Sequence, residues 1–517
     1  MSGEYASTLV TDETTLGERI ASTVIGVGLL VFMLSVLAVA RVVTEEASVL
    51  GVGLYDFLAG GLLAMGLGVG VAGVGSALGA FETTPDETPG TVTAGAFGII
   101  AAAAVWLATA QIGVLGPVGG FPAGLLAGAV TFVGLGLLSE DIGSTLPAVV
   151  VAVAVSGAVL TNLLTPAWLW DPEWLSAAFS GSMTIPTLTA SAALLTAWAG
   201  AKAYGGYGSE GRQAGAYLLV ALNALGMLVV LLAVILFIVT KGIGPAFEGF
   251  SLYPFDWPFV LNGYSFRPDV VNGVFPAIVG TLYLVVGATV TGVPVAVAAA
   301  VFLTEYAEQG PFVGAVEIAT NGLWSTPSVV YGLFGYAFLV PRLGGTTSLL
   351  SGILVLGFML MPLCLITSRE AIKSVPDEYR DASAALGVSQ WETIKSVVVP
   401  AAMPGIVTGV ILGVGRIAGE TAPILLVMSG GLRDNAPNVL ASFEFTSAPP
   451  FVANDALLQS APALPYQLYA TITSGVSAEN AIEYGWGTAF VLLVVVLSFY
   501  AVGIATRMYF RRRLNHE

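Results

Sequence analysis

Side chains that ligate metals or carry redox chemistry are nearly missing from this chain, which holds one cysteine, Cys364, and one histidine, His516. A single cysteine excludes an intrachain disulfide and any cysteine-based metal site. Cys364 lies in an apolar run and reads as a small buried hydrophobe. One histidine in the tail leaves nothing for histidine-metal or histidine-base chemistry. Charge is scarce too, at 10% of residues, and it leans acidic, with 17 Lys+Arg against 33 Asp+Glu and a net charge of −16. The only lysines are Lys202, Lys241, Lys373 and Lys395, and none follows a glycine-rich loop, so the Gly-x-x-x-x-Gly-Lys-Ser/Thr cradle for ATP phosphates is absent. The acidic balance argues against nucleic acid as a partner. It reads instead as hydration of loops in salt-rich surroundings, as in halophiles.

What fills the chain is apolar: 56% of residues are hydrophobic and the mean hydropathy is +0.87, well beyond a soluble domain. The expected fold class is an all-α polytopic membrane protein. Candidate spans near the roughly 20 residues a bilayer requires lie at 20–40, 57–80, 92–112, 121–138, 146–164 and 185–201. They hold no charged residue and no nucleophile–base set. The segment 1–19 is polar and acidic without the basic start of a secretory signal, so the first run is expected to stay as a span. Gly68-Val-Gly-Val-Ala-Gly73 matches Gly-x-Gly-x-x-Gly, yet it sits inside an apolar run with no strand before it and reads as helix packing. The polar, glycine-rich stretch 201–213, with Lys202 and Arg212, is the expected domain boundary. Beyond it lie spans at 214–240, 276–303, 312–340, 349–367, 403–428 and 484–507. Arg369, Lys373, Arg380 and Lys395 in one loop, with Arg507 and Arg511-Arg512-Arg513 at the end, mark the cytoplasmic side. Arg267 and Arg433 then fall in outer loops, where solvated surface charge is their simplest account.

The stretch 369–423 organises the second half. Ser374 is expected to cap a short surface helix, with Pro376, Asp377 and Glu378 in its first turn. Gly387 is expected to end it. Ser389-Gln390-Trp391-Glu392 has capping-box spacing and should start a second helix with an apolar stripe of Trp391, Ile394 and Val398. Asp381-Ala382-Ser383, then Gly387, then Val397 and Val399-Pro400 resembles the EAA loop of ABC importer permeases, with Asp for Glu, Ser for the second Ala, and Val at the Ile and Leu positions. The resemblance extends to phosphate permeases. Ala277 to Leu282 with Val293-Pro294 and Phe302 to Tyr306 looks like their second span, and Thr326 to Phe334 like their Pro-Ser-x-x-x-Gly-Leu-Phe segment. Arg416 to Pro423 is similar to the Arg-Ala-x-Gly-Glu-Thr-Ala-Pro signature of the PstA-type subunit, and Leu464 to Tyr469 to its outer Leu-Pro-x-Gln-Ile-Tyr.

This likeness covers about 205–513. It implies a type I, MetI-like six-helix permease core at 214–513 with a coupling loop at 369–402, preceded by about six extra transmembrane helices in a membrane region, 1–200, of which it says nothing. It implies that Asp381, Ala382, Ser383, Gly387, Val388 and Trp391 couple to PstB-like ABC ATPase subunits. It further implies a PstC-like second permease subunit, a PstS-like extracellular phosphate-binding protein, contact with membrane lipid, and a cytoplasmic C-terminus. No cofactor is expected on this chain, ATP being used by partner subunits, and the chain is not itself expected to be an enzyme.

Arg416 and Glu420 are expected on one helix face near the middle of 403–428. Insertion scales charge each about 2.5–3.5 kcal/mol at a helix centre, and the apolar residues of this run return only about 3–7 kcal/mol together, so the span must face protein or water. A guanidinium offers a fork of donors to phosphate oxygens. A carboxylate repels a bare anion but accepts a hydrogen bond from a P–OH group, which sulfate lacks. Two readings of the pair stay open: a place on the substrate pathway, and mutual neutralisation that ties helices together. Other readings of the chain are the PstC-type sister subunit, a permease for sulfate, molybdate or tungstate, and a membrane sensor or scaffold.

Overall fold

In lipid a backbone has only itself to bond with, so long apolar runs satisfy their N–H and C=O groups as helices. The computed structural model describes residues 15–112, 116–172, 174, 176–265, 272–447, 451–473 and 481–514. Arg267, His516 and the side chain of Arg513 lie outside the described residues. Apart from four short antiparallel hairpins, the regular structure described is helical. The chain divides into two compact units, Met1–Phe237 and Ile238–Glu517.

The first unit contains α1 (Leu16–Val39), α2 (Leu54–Ala77), α3 (Thr91–Ile112), α4 (Gly116–Gly136), α5 (Glu140–Leu160), α6 (Gly181–Tyr204) and most of α7 (Gly208–Ala246). A full capping box starts α1: the Thr15 hydroxyl accepts from the Glu18 N–H, and the Glu18 carboxylate accepts from the Thr15 N–H at 2.8 Å. Helices α3 and α4 pack as a hairpin, α1 lies along α6, and α2 lies along α5. The Gly68–Gly73 motif is inside α2, so it is part of a packed helix. Five of the six expected N-terminal spans are helices long and apolar enough to cross a membrane, whereas the run 185–201 lies in α6, which is not among them. Its hydroxyl residues explain the difference. Thr189 and Thr196 are fully buried, Thr189 meets Ser35 of α1 at 3.0 Å, and alanines fill the rest of the contact. A helix surrounded by protein needs small residues that allow close approach more than it needs bulk apolarity.

The second unit runs on through α8 (Pro258–Leu261), α9 (Phe275–Val301) with a π-helical turn at Phe302–Tyr306, α10 (Pro311–Ser325), and α11 (Ser328–Phe334) with a π turn at Gly335–Leu339. There follow α12 (Leu349–Lys373), α13 (Asp377–Ala385), α14 (Gln390–Thr393), a π turn at Ile394–Val398, α15 (Val399–Ala418), α16 (Ala422–Val427), α17 (Leu464–Thr473) and α18 (Ala481–Leu514). Its core forms where α9 and α12 pack lengthwise, with Leu284, Ala288, Leu356 and Leu360 inside. Cys364 is fully buried there, as its apolar surroundings in the sequence imply. Leu464 anchors α17 on α9 by giving its N–H to the Thr281 hydroxyl at 2.9 Å. Among the described residues ten helices are long and apolar enough to span a membrane, with α10 and α11 together an eleventh if counted as one bent pass.

Two expected spans are broken. The run 312–340 is two arms bent by 102°, because Pro327 pushes Thr326 out of helical geometry (φ −68, ψ 130). The run 403–428 stops being helical after Ala418 and resumes at Ala422. Arg416 therefore lies in the last turn of α15, with Glu420 beyond its end, and the expected mid-helix placement is corrected. The elbow differs in detail too. Ser374 closes α12 and donates to the Ala371 carbonyl, while Pro376 holds the capping position of α13. Ser389 caps α14, but the Glu392 carboxylate accepts from Ser396 at 2.9 Å, leaving the box half formed. Ile394 and Val398 are buried and Trp391 is exposed, so the stripe splits. The second elbow helix is no separate element: residues 390–418 run on as one 29-residue helical span, Gln390–Ala418.

Candidate functional site

Both broken helices break at the same place. Helix α10 ends at Ser325, with Ser325 and Thr326 returning their hydroxyls to the Gly322 carbonyl at 3.0 and 2.8 Å. The Tyr331 hydroxyl of α11 reaches back to the Leu323 carbonyl at 2.7 Å and fixes the bend. Helix α11 lies on α16 so closely that a Cβ on Gly332 would stand 2.7 Å from Pro423 Cα. That packing carries Trp324, at the end of α10, beneath Arg416. The guanidinium carbon is 4.6 Å from the centre of the indole ring. Its Nε is 3.6 Å from a Glu420 carboxylate oxygen, an ion-pair separation longer than a hydrogen bond. Among the described residues neither Arg416 nor Glu420 makes a hydrogen bond, so every guanidinium N–H is unspent. With 36% of the Arg416 side chain and 17% of Glu420 exposed, the donors are open to an incoming group. The structure thus brings the two expected residues together, in broken backbone and with a third partner that apolar patterning does not reveal.

The elbow forms the second constellation. Asp381 and Ala382 of α13 face outward, as do Gly387, Val388 and Trp391, whereas Ser383 is buried and bonds Thr393 at 2.7 Å. Ser383 is thereby a clasp between the elbow's two arms. Gly387 sits at φ +74, a left-handed turn that favours glycine, and the Val388 N–H closes it on the Ser383 carbonyl at 3.2 Å. Arg380 tethers the elbow to the membrane helices. Its fork grips Glu305, in the π turn after α9, at 2.8 and 3.3 Å, and it also donates to the Val375 and Ile372 carbonyls. The Glu305 hydrogen bond pushes the Arg380 guanidinium's pKa above its ordinary value. Gln390 donates to the Glu305 carbonyl at 2.7 Å, so one turn of α9 receives both arms of the elbow. Nearby on α12, buried Arg369 pairs with Glu317 of α10 at 2.6 Å. The sequence signal for these pairs is an acidic residue at the foot of an apolar span facing a basic loop.

A third cluster lies in the first unit, where sequence alone shows only an acidic turn and a polar linker. Glu140 is fully buried and receives the Lys202 ammonium at 2.7 Å and the Gly208 and Asp86 amides at 2.9 and 3.1 Å. Lys202, also buried, donates to Ser144 at 2.8 Å and stands over Trp198. Asp141 accepts from Ser76 at 3.0 Å and from Ser139 at 2.5 Å. Arg212 closes the group by pairing with Asp86 and, at 3.3 Å, with Glu140. The Ser144–Lys202 contact is not a nucleophile–base pair, because the ammonium is matched by Glu140 and Ser144 is fully buried. The expected linker 201–213 is consequently packed down by charge.

A family model described as "Binding-protein-dependent transport system inner membrane component" matches residues 292–516. The chain is 31% identical over 272 residues to the "Phosphate transport system permease protein PstA" of Mycobacterium leprae, covering 52% of this chain and 81% of that one. It is 34% identical over 230 residues to the protein of the same name from Xylella fastidiosa, covering 44% and 73%. A chain of the MetNI methionine ABC transporter, solved in an inward-facing conformation, aligns with 46% of this chain and 94% of its own at 18% identity and a TM-score of 0.34. With the family match in its C-terminal part and additional apolar helices ahead of that part, the chain belongs to the binding-protein-dependent transport system inner membrane components, the permease subunits of ABC importers.

Proposed function

We propose that this chain is the PstA-type transmembrane permease subunit of an ATP-driven phosphate importer. It forms half of the translocation pore, with a PstC-like subunit supplying the other half. PstB-like ATPases engage the elbow through Asp381, Ala382, Gly387, Val388 and Trp391, and a PstS-like protein delivers phosphate from outside. In this reading the C-terminus is cytoplasmic. Residues 1–200 form an extra membrane region, joined through 201–213 to a permease core at 214–513.

The observation that carries this reading is the Arg416 guanidinium, held at the joint of two broken helices with no donor spent among the described residues. Irregular backbone at membrane depth is tolerated where it lines a protein interior or a watery cavity. An arginine that had merely neutralised a neighbour would close a hydrogen-bonded fork on it. At 3.6 Å the Glu420 carboxylate is near enough to temper the positive field and too far to occupy it. A monohydrogen or dihydrogen phosphate satisfies both groups, its oxygens accepting from Arg416 and its P–OH donating to Glu420. Sulfate leaves Glu420 facing a bare anion.

The test is phosphate uptake into proteoliposomes holding the whole transporter. Arg416→Ala should abolish uptake at normal protein level. Arg416→Lys, a point charge without the fork, should retain only a small fraction of the rate. Uptake at the parental rate in Arg416→Ala would remove the residue from the pathway. Competition by sulfate, molybdate and tungstate then separates phosphate from the other oxyanions.

A further inference from the structure

We infer that Trp324 is a positioning residue that keeps Arg416 available to the transported anion by holding its guanidinium on the indole face and away from Glu420. The inference rests on the reading of Arg416 as a phosphate contact and adds a residue to it.

The argument starts from geometry. Arg416 and Glu420 are four residues apart at a helix end, the spacing at which arginine and a carboxylate ordinarily close a salt bridge. Such a bridge would spend two guanidinium donors and neutralise the charge an anion needs. The fork has not closed, since the nearest approach is 3.6 Å. What occupies the guanidinium is the ring of Trp324, 4.6 Å away. Stacking on an aromatic face takes up the flat side of the cation and none of its in-plane N–H groups. The ring therefore steadies Arg416 without competing for the donors phosphate would use.

Trp324 is well placed for this. It occupies the last turn of α10, immediately before the bend. The bond from Tyr331 to the Leu323 carbonyl fixes that turn, and the contact of Gly332 with Pro423 ties α11 to the segment that carries Glu420. The support under Arg416 is thus built into the same joint as its rival, Glu420. At 37% exposure the indole is not filling a core, so its removal opens no sealed cavity.

The experiment places tryptophan analogues bearing zero to four fluorines at position 324, in the full transporter reconstituted with its ATPase, partner permease and binding protein, with inorganic phosphate as the probe. Fluorine drains the ring's negative face while keeping its shape, which a structural role would not sense. The expected result is a stepwise rise in the phosphate concentration for half-maximal uptake, reaching about 2- to 30-fold, with the maximal rate changed by less than about 2-fold. Trp324→Phe should fall early in that series and Trp324→Leu at its far end. A flat response to fluorine with Arg416→Ala inactive overturns the role of Trp324 and leaves the reading of Arg416 standing. Full activity in Arg416→Ala overturns both.

Discussion

Breaking the ion pair between Lys202 and Glu140 should cost more than any single change on the surface of the first unit. Both side chains are essentially sealed from solvent, at 1% and 0% exposure, and their charged atoms are 2.7 Å apart. A buried charge that loses its counter-charge keeps its desolvation cost, which puts the penalty for removing one partner at about 3–5 kcal/mol. Lys202→Met should fall at the lower end, because Glu140 retains the Gly208 and Asp86 amides and Arg212 at 3.3 Å. Glu140→Gln should fall at the upper end, since Lys202 is then left with Ser144 and the Trp198 face. Combining the two removes both charges while Gln keeps an acceptor for the amides, so the double variant should lie within about 1–2 kcal/mol of the parent. The assay is chemical denaturation of the purified full chain in mixed micelles, followed by tryptophan fluorescence, with the three variants treated as a double-mutant cycle. Single variants within about 1 kcal/mol of the parent, or a double variant whose loss equals the sum of the singles, would refute the claim that this cluster is a matched buried pair.

Other expectations concern the elbow. Glu305→Gln weakens the grip of Arg380 on the foot of α9, and should raise ATP hydrolysed per phosphate carried while leaving membrane insertion unchanged; the exchange Arg380→Glu with Glu305→Arg should recover part of the coupling, and an unaltered ratio in Glu305→Gln would dismiss the tether. Gly387→Val forces a branched side chain into a left-handed turn at φ +74, where nothing from this chain stands within 4 Å of a Cβ. It should cost about 1–2 kcal/mol locally and abolish stimulation of the ATPase by the transporter, and normal stimulation would take this turn out of the docking surface. Ser383→Ala leaves Thr393 without its 2.7 Å partner, so it should loosen the elbow toward proteolysis without touching any exposed docking residue; equal protease resistance counts against the clasp.

Apolar runs locate most helices because span length and hydropathy are local properties. The sequence also carried the resemblance at 369–423 and the pairing of Arg416 with Glu420 as neighbours. The bend at Thr326 was readable, since a residue before proline is pushed out of helical geometry, but apolar residues on both sides make 312–340 look continuous. The break after Ala418 has no single strong breaker, only Gly419 followed by the pull of α16 onto α11. Trp324 under Arg416, Arg380 on Glu305 and Lys202 on Glu140 are products of tertiary packing, and no periodicity announces them. Helix α6 shows the same limit from the other side. Its threonines look wrong for a span until α1 and α5 are seen packed around it.

The π turn at Ile394–Val398 stands between the elbow and Arg416. Such a turn accommodates one residue more than an α-helix of the same pitch. Removing a single residue there would let the helix rewind, and everything after it would swing by about 100° and shift by about 1.5 Å. The outward face of the elbow and the arginine would then point in unrelated directions although no functional side chain had been touched. Residue number in this short stretch acts as a gear setting, and a chain one residue shorter would need an equal and opposite slip elsewhere to keep its motor and its cargo in phase.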